Sequence, residues 1–231
     1  MLTVIIKRSV EPEAIHFTIE DIVRQMSSLR DCEILVEDSW REGLRKVRTP
    51  YVCLVEGDCT LSASYLVNNI ALMKKAINWG TTGGGYVKLA MLSSCLSYKT
   101  FDNRIYNYGL SEITTYIDKS KDWTMTEWGI GLNRNKGSSK LYPVQVGFVP
   151  GAIIRTSAIN REAFENINWD NKNLIQLSTE VSFHFWNTNR RVQVNPNTTY
   201  VSLEEYLLLP SLFKLKVPDK VANIFQKEGI T

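Results

Sequence analysis

The chain has 231 residues, of which 44% are hydrophobic, 22% charged and 10% aromatic. That balance excludes intrinsic disorder, a collagen-like repeat and a disulfide-stapled miniprotein, and it fits one globular domain able to bury roughly 70% of its unfolded surface. With 27 basic against 24 acidic side chains, the net charge of +3 is too small to argue by itself for nucleic acid or an anionic membrane.

The cysteines Cys32, Cys53, Cys59 and Cys95 contain no C-x-x-C pair, so neither a zinc module nor a redox dithiol is signalled. The apolar opening is interrupted by Lys7, Arg8 and Glu11 before it could serve as a leader. No run approaches the ~20 apolar residues of a membrane span. The expected compartment is the cytoplasm.

The first third alternates strand and helix signals. Leu2 to Lys7 reads as a strand, and Thr18 with Asp21 resembles a capping box opening a helix with Ile19, Ile22, Val23, Met26 and Leu29 on one face. Cys32 to Glu37 is a second strand, ending in Asp38. Ser39 and Glu42 open a short helix that Pro50 must close. Tyr51 to Val55 is a third strand, running into Glu56-Gly57-Asp58, and Ser64 to Ile77 a third helix. This βαβαβ pattern builds a parallel sheet, whose ligands bind beyond the carboxyl ends of its strands. Asp38, Glu56 and Asp58 all fall at those ends.

From Gly80 to Leu141 the pattern loosens into glycine, serine, asparagine and aromatic residues, including Gly83-Gly84-Gly85, Tyr106, Tyr108, Tyr116, Trp123 and Trp128. An irregular, partly helical substrate region is expected there, its aromatics packed in a core or stacked on a sugar or base. Val144 to Thr156 reads as a strand broken at Pro150-Gly151. Helices near Arg161 to Ile167 and Gln176 to Trp186 follow, then a strand from Val192 to Asn195, and an apolar run from Tyr206 to Leu209 in the tail.

The sharpest constellation is Glu56-Gly57-Asp58. A buried strand fixes the backbone, and two carboxylates one residue apart suit a hard divalent cation that keeps coordination sites for phosphate oxygens. Read blandly, the same residues are an acidic turn before a helix.

Glu33-Ile-Leu-Val-Glu-Asp38, then Arg41-Glu-Gly43-Leu44, then Val47-Arg-Thr-Pro-Tyr51-Val-Cys-Leu-Val-Glu56-Gly-Asp58 resembles a GT-A glycosyltransferase, most like the large inverting family 2. The resemblance implies an α/β, GT-A-like single domain over 1–231, with a Rossmann-like, mostly parallel sheet and helices on both faces. Residues 1–80 would form the nucleotide-sugar half, 81–200 the acceptor side and 201–231 a tail. It also implies that Asp38 reads the donor base, and that Glu56 and Asp58 hold Mn2+ or Mg2+ on the diphosphate of a nucleotide sugar, a UDP-sugar first among them. Thr179-Glu180 is similar to the family's E-D segment, which makes Glu180 the implied catalytic base. Here E-x-D stands for the usual D-x-D, and Trp40-Arg41 for an arginine-asparagine pair, so Arg41 is assigned to the donor.

Lys7 and Arg8, ending the first strand, are candidates to pair with donor phosphates. His184, four residues after Glu180 on one helix face, is a candidate third metal ligand, with packing against Phe183, Phe185 and Trp186 as the alternative. Arg41, Arg45, Lys46 and Arg48 also read as an ordinary solvated helix face. The expected reaction is sugar transfer to a hydroxyl acceptor, saccharide or lipid-linked. A modified DNA base ranks lower, because +3 is a weak electrostatic footprint for nucleic acid. A noncatalytic nucleotide- or sugar-binding relative of the same fold is the alternative.

Overall fold

The structure is a computed structural model that describes residues 1–8, 12–75, 89–99, 105–110, 112–118, 124–130, 142–202 and 215–229. Strands β1 (Leu2–Lys7), β2 (Cys32–Glu37) and β3 (Tyr51–Glu56) follow the apolar runs. They lie parallel with β1 in the centre, in register from Leu2 opposite Cys32 and Tyr51 to Lys7 opposite Glu37 and Glu56. Val4, Ile5, Ile6 and residues 52–55 are fully buried, each large apolar side chain contributing about 1.5–3 kcal/mol.

Helix α1 (Pro12–Met26) begins six residues before Thr18, with proline near its start, a position where the missing N–H costs nothing. Thr18 and Asp21 are therefore not a cap. Both are buried in mid-helix and bond to another part of the chain. Val23, expected on the apolar face, is 53% exposed. Helix α2 (Trp40–Lys46) does start as expected, with Ser39 Oγ accepting from the Glu42 N–H at 3.2 Å. Gly43 lets α2 press onto β1, since a Cβ there would collide with Ile5. The short strand β4 (Cys59–Leu61) and helix α3 (Tyr65–Lys75) complete this half.

Among its described residues the middle is strand, where a partly helical region was expected. Strands β5 (Leu89–Lys99), β6 (Ile105–Leu110), β7 (Glu112–Asp118) and β8 (Thr124–Ile130) occupy it, consistent with its threonine, isoleucine and tyrosine content. Gly83 to Gly85 and Trp123 lie outside the described residues, as do the side chains of Tyr106, Tyr108, Tyr116 and Trp128 and the run from Tyr206 to Leu209.

There follow β9 (Tyr142–Pro143), β10 (Val146–Gly147), β11 (Ile153–Arg155), α4 (Arg161–Asn166), α5 (Leu174–Asn187), β12 (Arg191–Ser202), β13 (Leu215–Lys216) and α6 (Asp219–Glu228). Phe225 of α6 meets Trp186 of α5 edge-on, with ring centroids 5.3 Å apart.

The main sheet runs β2-β1-β3-β11-β5-β12-β4, with β6 beside β5 and β9 beside β12; β10-β7-β8-β13 form a smaller sheet. Expected as mostly parallel, the main sheet is mixed. Among the described residues three of its pairings are parallel and five antiparallel. The chain order reverses between β1 and β3, and sheets of this kind bind ligands beyond that switch point, which here lies past Lys7 and Glu56.

Candidate donor and metal site

At this edge charges alternate across three strands: Glu37, Lys7, Glu56. Lys46 from α2 neutralises Glu37, with Nζ 2.7 Å from Oε1. Lys7 turns the other way, its Nζ 4.0 Å from Glu56 Oε1 and 5.2 Å above the Trp40 ring. Trp40 is fully buried and donates from Nε1 to the Val55 carbonyl at 3.1 Å, so it fixes a floor beneath the lysine. Beside them Arg8 Nε lies 3.1 Å from Asp38 Oδ1, and both side chains are exposed to solvent.

Glu56 and Asp58 are buried, at 8% and 6% exposure, at the end of β3. The Glu56 N–H donates to the Tyr200 hydroxyl at 3.4 Å. Burial pushes the Tyr200 phenol and the Cys59 thiol well above their ordinary values, and the charges of both Glu56 and Asp58 add to that in each case. The two carboxylates thus share one neighbourhood, formed by Cys59 and Tyr200. From α1, Thr18 Oγ1 lies 3.0 Å from the Gly57 carbonyl and 2.9 Å from the Cys59 carbonyl, one on each side of Asp58.

The far wall is stitched to α5. Ser178 and Ser182, one helical turn apart, accept from the N–H groups of Val149 (3.0 Å) and Gly147 (3.2 Å), and Trp186 Nε1 donates to the Gln145 carbonyl at 3.0 Å. Gly151 follows with φ +78°, its N–H donating to the Leu54 carbonyl at 2.7 Å and its carbonyl accepting from Tyr65 at 2.7 Å. A Cβ at Gly151 would run into the Tyr200 ring, so glycine is required both by φ and by space.

The remaining expected residues divide. Glu180 is half-buried on α5, its Oε1 accepting from Gln176 Nε2 at 3.0 Å, so this bond stays within its own helix. Thr179 beside it is fully buried. Arg41 is drawn to α4, its guanidinium 5.3 Å from the Phe164 ring centroid, with Arg45 at 5.7 Å from the same ring. His184 does not join Glu56 and Asp58: among the described residues no three His, Cys, Asp or Glu side chains group as a metal set. Its imidazole packs edge-on against Phe185, and burial, with Arg190 nearby, lowers its pKa while Glu162 opposes the shift. Both observations fit a histidine that packs rather than one that binds a metal.

Two residues carry no sequence signal of what they do. Thr18 looks like a helix cap because its partners lie about 40 residues away in sequence. Asp170, between α4 and α5, accepts from Ser39 Oγ at 2.8 Å and ties that connection to the turn bearing Asp38. Its partner is 131 residues distant, and no local pattern announces such a pair.

Glu56 and Asp58 fit a hard divalent cation in donor chemistry, both being carboxylates in one buried neighbourhood. Among the described residues no third His, Cys, Asp or Glu joins them, so a cation held there would keep coordination positions open for a ligand or water.

A three-stranded parallel start with β1 central and a mixed continuation are the architecture of the GT-A fold, and the chain adopts it. In particular it superposes on the structure of GalNAc-T7 with UDP, GalNAc and Mn2+ at a TM-score of 0.58 and 10% identity, covering 97% of this chain and 47% of that one. The chain thus spans about half the length of that neighbour. The structure of S. aureus TarS 1-349 in complex with UDP-GlcNAc matches at a TM-score of 0.48 and 10% identity, over 88% of this chain and 58% of that one. No family model and no curated protein matches the sequence. No helix among the described residues is long and apolar enough to cross a membrane.

Proposed function

We propose that this chain is a metal-dependent glycosyltransferase that moves a sugar from a nucleotide diphosphate donor to a hydroxyl acceptor. The observation that carries this reading is the burial of Glu56 and Asp58, one residue apart at the end of β3, where the strand order reverses. The GT-A fold supports it, and the UDP and Mn2+ bound by GalNAc-T7 make UDP-sugars and manganese the first choices to test.

In this reading Lys7 and Arg8 hold phosphate oxygens at the end of β1, and Asp38, exposed beside Arg8, accepts from a base N–H. A cation on Glu56 and Asp58 would neutralise charge developing on the leaving diphosphate. Glu180 takes the proton of the acceptor hydroxyl as its oxygen bonds to the anomeric carbon and the carbon–phosphate oxygen bond breaks. For that, its carboxylate must exchange Gln176 for the acceptor.

Mass spectrometry of nucleotide sugars bound to the purified protein, followed by donor hydrolysis with and without Mn2+, tests the proposal. Binding of a nucleotide diphosphate sugar with Mn2+-dependent release of its diphosphate supports it; retention of none opposes it. The engagement of Glu180 by Gln176 favours a second reading, a noncatalytic nucleotide-sugar binder. Thermal stabilisation by a nucleotide sugar without turnover on any acceptor would select it.

A further inference from the structure

Helix α1 carries a polar stripe, Thr18, Asp21 and Gln25, that is buried rather than solvated. Each member bonds to the backbone that follows Glu56. Thr18 Oγ1 faces the carbonyls of Gly57 and Cys59, Asp21 Oδ2 accepts from the Leu61 N–H at 3.0 Å, and Gln25 meets the Leu61 carbonyl at 3.4 Å and the Leu66 N–H at 3.3 Å. Strand β4 ends the main sheet, and these side chains take the place of a neighbouring strand along its free edge. The spacing of three and four residues keeps all of them on one helix face.

Thr18 differs from the other two in where it acts. Its hydroxyl proton reaches two carbonyls that flank Asp58 directly, at 3.0 and 2.9 Å, so it fixes the peptide units on either side of that carboxylate. Asp21 and Gln25 hold the strand farther along. We propose that Thr18 is a positioning residue that sets the Asp58 carboxylate for its cation, while Asp21 secures β4 without touching that geometry. The inference rests on the metal reading above.

The test compares wild type with Thr18→Val, Thr18→Ser and Asp21→Asn, using electron paramagnetic resonance titration of Mn2+ in the presence of UDP. Amide hydrogen exchange of residues 57–59 is followed in the metal-free proteins. Thr18→Val keeps the side-chain shape and removes the donor; it is expected to weaken Mn2+ binding about tenfold and to speed exchange at the turn. Thr18→Ser restores the hydroxyl and is expected to bind Mn2+ within about twofold of wild type, and Asp21→Asn is expected to lower Tm with a similarly small effect on binding. Unchanged Mn2+ affinity and turn exchange in Thr18→Val, or an equal loss in Thr18→Ser or Asp21→Asn, would overturn the inference. Failure of wild type to bind Mn2+ would instead count against the metal site, and the metal-free exchange data would still decide whether Thr18 holds the turn.

Discussion

Lys7 and Glu56 stand level on adjacent parallel strands, with Nζ 4.0 Å from Oε1 and the ammonium 5.2 Å above the Trp40 ring. The chain therefore carries a cation of its own beside the proposed metal carboxylates. A partly exposed pair of this kind contributes about 1 kcal/mol at most. Lys7→Met is expected to lower Tm by about 2–4 °C, and added Mn2+ should raise the variant's Tm more than that of wild type. Differential scanning fluorimetry with and without Mn2+ checks this. Equal Mn2+ shifts in both proteins would show that the lysine and the metal do not share a site.

Gly151 joins β3 to the α5 side of the crevice at a left-handed φ of +78°. Gly151→Ala adds a methyl group against Tyr200 and strains the backbone, so a loss of about 2–4 kcal/mol is expected. Urea denaturation measures it. A loss under 0.5 kcal/mol, the size of an ordinary surface change, would mean that the Leu54–Gly151 contact is not tightly held.

His184 gives a pH signature. Burial holds its pKa below the ordinary 6.5, so the unfolded chain binds more protons than the native state between those two values. Stability from this group is fully present above about pH 6.5 and falls as the pH drops through the folded pKa. Its charged neighbours are Glu162, which opposes the shift, and Arg190, which adds to it. His184→Gln is therefore expected to lose less Tm than wild type between pH 7.5 and pH 5, buffers chosen to bracket that range at roughly one to two units from 6.5. Parallel Tm profiles would refute the assignment.

The first 60 residues were legible because each apolar run ends at a local signal. Ser39 with Glu42 marked the start of α2, and the carboxylates at 38, 56 and 58 marked the strand ends. What escaped reading depends on tertiary partners. Thr18 has the composition of a cap and is instead a clamp, because an unpaired strand edge outcompetes a helix end for its hydroxyl. Strands β5 to β8 carry threonine, isoleucine and tyrosine, but the serine, glycine and asparagine among and between them mask that strand preference, which is expressed only when neighbouring strands pair. His184 shares a helix face with Glu180, yet helical spacing does not say which element that face meets, and here His184 feels the charge of Glu162 on α4.

Glu180 divides the two readings of function. If it is the base, Glu180→Gln lowers kcat for transfer by about 100-fold or more while donor affinity changes little. Steady-state kinetics with the donor found by the binding screen, together with calorimetry for UDP, separate the two parameters. A variant with undiminished kcat would remove Glu180 from the chemistry.

The central claim is that Glu56 and Asp58 together bind a divalent cation that a nucleotide diphosphate then shares. Calorimetric titration of UDP into wild type and Asp58→Asn, each with Mn2+ or with a chelator, addresses it directly. The account predicts that wild type binds UDP at least about tenfold more tightly with Mn2+ than with chelator, and that Asp58→Asn removes that difference while remaining folded. Equal UDP affinity with Mn2+ and with chelator in the wild-type protein, or a Mn2+ effect retained by Asp58→Asn, would contradict it.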